Sequence, residues 1–188
     1  MKPYIIKQGR HYASGWLGRL LNIHCNLESI YIDGKFDESC WYEPRNNDDK
    51  TDLNKLFGLG FGLSHHKNSV RFGWRPNFRE KGKIDIYAYV YDKSSDEHIS
   101  KYINSVLCDD QFLLIIKLRC DDYLLTVNNK SVEIYNCEQD PCWGFYLYPY
   151  FGGNNTAPHD MTILLGIYNK SKYNDAKNIN TSSKFVWL

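Results

Sequence analysis

KIDIYAYVYD, residues 83–92, alternates strictly: Ile84, Ile86, Ala88 and Val90 fall on one side of an extended chain, and Asp85, Tyr87, Tyr89 and Tyr91 on the other. Successive side chains of a β-strand point to opposite faces, so this is a strand with one apolar face and one aromatic, polar face. The stretch before it behaves alike, because Val70, Phe72 and Trp74 alternate with Arg71, Gly73 and Arg75. Further on, FLLIIKL at 112–118 is apolar but for Lys117, which predicts a central strand covered on both sides. YLLTV and SVEIY then flank Asn128 and Asn129, and asparagine accepts the positive φ angles of tight turns, so these two runs predict a hairpin. Similar patterns place strands at 17–25, 28–32, 58–64, 143–151 and 160–168.

Two stretches pull the other way. TDLNKLF at 51–57 predicts a short helical turn capped by Thr51. SSDEHISKYINSVL at 94–107 opens with the capping-box pair Ser94 and Glu97 and spaces Ile99, Ile103 and Val106 as a helix does. The same residues also fit strands, and the short connections of antiparallel sheets favour that reading. No glycine-rich turn opens a helix and strands do not alternate with helices, which argues against a doubly wound nucleotide-binding fold. The expectation is an all-β chain: one antiparallel β-sandwich of jelly-roll type over residues 1–168, with one or two short helices. A polar extension follows over 169–188.

With 188 residues, 43% hydrophobic and 24% charged, the chain has the composition of an ordinary globular domain rather than a disordered one. Lys and Arg number 23 against 22 Asp and Glu, so no excess positive field exists to hold a phosphate backbone, and nucleic acid is not an expected partner. The first residues, MKPYIIKQGRHYASGW, hold no apolar run of the length that a signal peptide or membrane span needs. A cytoplasmic or virion location, with no membrane partner, is the corresponding expectation. Six cysteines without a C-x-x-C pair then predict reduced, mostly buried thiols.

Three segments, KIDIYAYVYD at 83–92, FLLIIKLRCDDYLLTVNNKSVEIY at 112–135 and WGFYLYPYFGGNNTAPHDMTI at 143–163, together resemble the concanavalin A-like β-sandwich group. Laminin-G domains, legume-type lectins, galectins and several glycan-cleaving enzymes share that architecture. The ending Tyr-Pro-Tyr-Phe-Gly-Gly-Asn with Ala-Pro-His-Asp is also similar to small proteins of gut Bacteroidetes and of the crAss-like phages that infect them. The resemblance implies a lectin-like sandwich, and its second part implies a phage component; a shared fold does not by itself transfer an activity.

Arg71 and Arg75 on one strand, with Tyr87, Tyr89 and Tyr91 on the next, line one sheet surface with fork-shaped donors and rings. Tyr146, Tyr148 and Tyr150 extend it. Aromatic rings cover the apolar faces of a pyranose while Arg and His bind hydroxyls and carboxylates, so the surface fits a glycan. It fits a protein partner as well, since Tyr and Arg are enriched in interfaces, and plain packing under a loop accounts for it too. As an enzyme of lyase type, His66, Arg71 and Tyr87 supply a base and a carboxylate neutraliser. The motifs of the sandwich-fold alginate lyases are absent, however, and no paired Glu/Asp run for glycoside hydrolysis exists. The loop from Gly152 to Asp160 offers Asn154 and Asp160 to a structural Ca²⁺, although a single local carboxylate is few oxygens for so hard a cation. Otherwise no cofactor is expected.

The chain ends in Phe185, Val186, Trp187 and Leu188, an apolar segment that predicts docking on another subunit. The expected function is a non-enzymatic lectin-like interaction module, a structural or adaptor component of a bacteriophage virion, contacting other subunits or a second copy of itself. The alternative is a carbohydrate-binding protein or lyase-like enzyme directed at acidic glycans.

Overall fold

Burial of every second side chain fixes which face of each strand looks inward, and in the computed structural model those faces close on one another. The structure describes residues 1–14, 22–45, 50–62, 64, 66–92, 98–119, 122–135, 143–153, 155–169 and 173. Among the described residues twelve strands run β1 Lys2–Ile6, β2 Ile23–Cys25, β3 Ser29–Phe36, β4 Asn54–Phe61, β5 Ser69–Pro76, β6 Lys83–Tyr91, β7 His98–Leu107, β8 Gln111–Leu118, β9 Asp122–Val127, β10 Lys130–Tyr135, β11 Trp143–Leu147 and β12 Met161–Asn169. They form two six-stranded antiparallel sheets, ordered β1-β12-β3-β8-β9-β10 and β2-β11-β4-β5-β6-β7. Neighbours far apart in sequence, such as β12 beside β3 and β11 beside β4, make this a sandwich with long crossovers rather than a meander. Helical backbone among the described residues is confined to a 3₁₀ turn at Glu38–Cys40 and to residues 50, 51 and 173. None of it is long and apolar enough to cross a membrane.

The core lies between the sheets. Phe57, Leu59, Val70, Phe72, Trp74, Ile84, Ile86, Ala88 and Val90 from the second sheet meet Ile30, Ile32, Phe36, Phe112, Leu114, Ile116, Leu125, Ile163 and Leu165 from the first. The Phe36 ring lies 5.2 Å from Trp74 and 5.1 Å from Phe112, tilted against both. Opposite Phe112 stands Gly34, and a Cβ there would fall 2.2 Å from the ring, so the glycine makes the space that the ring fills.

Several expectations need correction. Residues 51–57 are not a helical turn, because Asn54 to Phe61 pair with β5 and β11. A bulge between Lys55 and Phe57 turns both Leu56 and Phe57 inward, and two successive buried apolar residues imitate the spacing of a helix. In 94–107 the described part, from His98, is strand. β8 is not covered on both sides: Phe112, Leu114 and Ile116 are buried, but Leu113 and Ile115 on its outer side are only half-buried. Cys40 is buried, whereas Cys25 is exposed on β2. β1 has no strand signal of its own because Pro3 interrupts it; the proline is tolerated because the strand sits at the sheet's edge, with Pro3 opposite Leu164. The hairpin is as expected, with Asn128 at φ 56°. Cys120, Cys137, Cys142 and Phe185–Leu188 lie outside the described residues.

Two outcomes follow from this packing. Trp74→Ala empties the largest fully buried side chain among the described residues and should cost about 3–5 kcal/mol in denaturant unfolding; a cost near zero would show that the sheets do not close on this ring. His24 on β2 is 5% exposed, with Nε2 3.2 Å from the Gly60 carbonyl and its ring against Phe61 and Tyr146. Burial lowers its pKa below the ordinary 6.5, and the Gly60 bond only partly opposes this. The unfolded chain therefore takes up the proton first, so stability should be level above 6.5 and fall as pH drops from there toward the lower folded value. Melting curves across this range should show the fall in the wild type and a shallower one in His24→Asn; parallel curves would remove His24 as the cause.

Candidate functional site

The outward side of the second sheet gathers the polar partners of this core. Register sets Arg71 opposite Tyr89, Gly73 opposite Tyr87 and Arg75 opposite Asp85 on β5 and β6. On the far side β7 adds His98, Ser100 and Tyr102 opposite Tyr91, Tyr89 and Tyr87. On the near side β4 sets Gly58 against Arg71 and Lys55 against Gly73. A cavity of about 660 Å³ opens over β4 and β5, with Lys55, His66, Arg71, Tyr89, Tyr91 and Tyr150 among its lining.

Arg71 is the most deeply buried charged group lining this cavity among the described residues. A Cβ on Gly58 would fall 2.5 Å from Arg71 Cγ, so only glycine lets the arginine stem lie across β4. Its Nη2 donates to the Tyr148 carbonyl at 3.3 Å, while Nε is buried without a hydrogen-bond partner among the described residues. Only 9% of the residue is exposed, and no carboxylate forms an ion pair with it among those residues. Burial pushes its pKa down to about 10, opposed by Tyr89, Tyr91 and Tyr150, and it is still a cation at neutral pH. Lys55 is the second cation. Its Nζ donates to the Gly152 carbonyl at 3.4 Å and stands 5.0 Å from the Tyr89 ring centre. Burial lowers its pKa, Asp52 raises it and Arg71 lowers it again.

Tyr89 forms the wall beside both cations. It is 5% exposed, stacks on His98 at 4.5 Å and donates to the Tyr91 hydroxyl at 3.4 Å. Burial holds its hydroxyl, like that of Tyr150, above the usual phenol range, so both stay protonated donors. His66 is exposed and meets Tyr91 edge-on at 6.0 Å.

Other expected residues are placed differently. Tyr146 and Tyr148 edge the cavity, but their rings turn back onto the core, Tyr146 against Phe57 and Tyr148 against Tyr4 and Phe57. Register pairs Tyr146 with inward-facing Leu59, so Phe145 and Leu147 share the outward side instead. Tyr87 and Arg75 lie beyond the cavity: Arg75 covers Tyr87 at 5.1 Å and donates to the Lys50 carbonyl, and Tyr102 meets Tyr87 edge-on. His66, Arg71 and Tyr87 are thus not gathered into one lyase-type constellation. Asp160 forms an ion pair with Lys7 at 2.6 Å and accepts from the Gln8 N–H, which holds its carboxyl below the usual range. Asn154 lies outside the described residues, and among those described no three His, Cys, Asp or Glu converge as metal ligands. His159 bonds the Ser39 carbonyl at 2.7 Å, as a turn histidine does. Lys55, Asp52 and His98 were not singled out from the sequence, although the alternation of His98, Ser100 and Tyr102 marks an outward row once 98–107 is read as strand.

No known protein family matches the chain, and no curated protein does. Among solved structures it is similar to the alginate lyase AlyC3, with a TM-score of 0.55, 11% identity, and coverage of 88% of this chain and 74% of that one. An alginate lyase from Alteromonas sp.272 matches at 0.43 and 10% over 89% and 79%, and the Dario rerio galectin-1-L2 at 0.43 and 12% over 86% and 96%. The protein has the concanavalin A-like jelly-roll fold, and the likeness at this identity concerns the fold alone.

Gly58→Ala tests how the site is built. The added Cβ would lie 2.2 Å from the Val70 carbonyl and 2.5 Å from Arg71 Cγ. Urea unfolding should show a loss of about 1–3 kcal/mol, as for overpacking; an unchanged midpoint would mean that Arg71 does not depend on the glycine floor.

Proposed function

We propose that the protein binds an acidic glycan in the cavity over β4 and β5. The observation that carries this reading is Arg71: a cation nine-tenths buried, facing a cavity, with an unpartnered Nε and no ion-paired carboxylate among the described residues. An unpaired buried charge lowers stability, and an arriving carboxylate relieves that penalty. Lys55 supplies a second positive group, while Tyr91 and Tyr150 bring aromatic rings and hydroxyls to the lining. That combination matches a pyranose bearing a carboxylate better than a neutral sugar or an apolar molecule.

The reading as a virion subunit draws on Phe185–Leu188, outside the described residues, and on a motif whose Asp160 is engaged with Lys7. No observation on the described face favours it over a glycan. As a lectin-like protein the chain needs no catalytic group, and among the described residues Tyr87 lies outside the cavity that His66 and Arg71 line.

Titration calorimetry with uronic-acid oligosaccharides should detect binding that Arg71→Met weakens by about tenfold or more, while the melting temperature stays level or rises because a desolvated charge is gone. Binding should also fall as pH rises into the range where Lys55, its pKa lowered by burial, gives up its proton. Equal affinity in wild type and Arg71→Met would overturn the proposal.

A further inference from the structure

Beside the main cavity lies a second, of about 350 Å³, with Thr51, Asp52, Tyr89, His98, Ser100 and Asn155 in its lining. The two share Asp52, Tyr89 and Gly153. Gly153 packs closely on Asp52: a Cβ there would stand 3.1 Å from Asp52 Oδ2, whose carboxylate accepts the Gly153 N–H at 2.5 Å.

The charges of the two cavities differ. The first holds Lys55 and Arg71 beside Asp52, a net positive floor. Among the described lining of the second, Asp52 is the one Asp, Glu, Lys or Arg side chain, and hydroxyl and amide groups from Thr51, Ser100 and Asn155 surround it. A carboxylate is welcome in the first and repelled in the second, where the remaining groups suit hydroxyls and amides. Tyr89 stands between them, with Lys55 over its ring and His98 stacked on it.

We propose that the two cavities are successive subsites for one glycan chain, the first taking a uronate and the second a neutral sugar. The ligand is then a heteropolysaccharide that alternates acidic and neutral units, and Asp52 is the residue that selects against a polyuronate. This rests on the acidic-glycan reading of the Arg71 cavity.

The test compares oligosaccharides of equal length by calorimetry at low salt. Hyaluronan and unsulfated chondroitin fragments alternate a uronate with a neutral amino sugar, whereas polygalacturonate and polymannuronate fragments carry a carboxylate on every unit. The wild type should bind the alternating pair about tenfold more tightly. Asp52→Asn, which keeps an oxygen acceptor for the Gly153 N–H, should bring the ratio near one by improving the polyuronates. Equal affinities in the wild type, or a ratio unmoved by Asp52→Asn, overturn the subsite assignment while the acidic-glycan reading stands. Failure of all four to bind overturns both. If Asp52→Asn does not fold, the wild-type ratio alone decides.

Discussion

Complete burial of Val70, Phe72, Trp74, Ile84, Ile86, Ala88 and Val90 leaves their neighbours on β5 and β6 one direction in which to point. Slipping either strand by a single residue would drive Arg71, Tyr87 and Tyr89 into the core and expose Trp74 and Ile86. The register of the outward face is therefore set by the apolar inward one, and the positions of the cavity's arginine and tyrosine follow from packing that they do not themselves provide. Closure of the two sheets on the ring cluster of Phe36, Trp74 and Phe112 then makes that register common to both layers.

Against this background Arg71 is a local disagreement between stability and use. Removing a guanidinium from water without an ion-pair partner is unfavourable, and Lys55 adds a like charge in place of relief. Asp52 compensates only in part, because its carboxylate is committed to the Gly153 amide. Packing elsewhere in the sandwich tolerates the deficit. A chain optimised only to fold would place an apolar residue at this outward, covered position, and that contrast makes the arginine informative.

Much of this was legible in the sequence, and the limits have physical causes. Strict alternation at 70–75 and 83–92 identified the two central strands and their outward residues, because a half-buried strand prints its period directly. At 143–148 the same rule was ambiguous: Trp143, Phe145 and Leu147 alternate with Gly144, Tyr146 and Tyr148, and both sets carry rings. Only pairing with Leu59 decides which set faces in. The bulge beside Lys55 broke the period at the point where a second cation enters, and so hid both strand and lysine. Asp52 and His98 reach the site through contacts between segments far apart in the chain, which a local pattern does not carry.

The bed on which Arg71 lies comes from what the outward face lacks. Gly58, Gly60 and Gly73 occupy the outward positions of β4 and β5 around Arg71, where other residues would fill the surface with side chains. Around the arginine stand Tyr89, Tyr91 and Tyr150, and the loop at Gly152 and Gly153 closes the remaining side through the backbone pairing of Lys55 with Tyr150. Strand glycine is unfavourable on entropy alone. Gly58 is better explained by the arginine stem that lies across it than by the sheet it weakens.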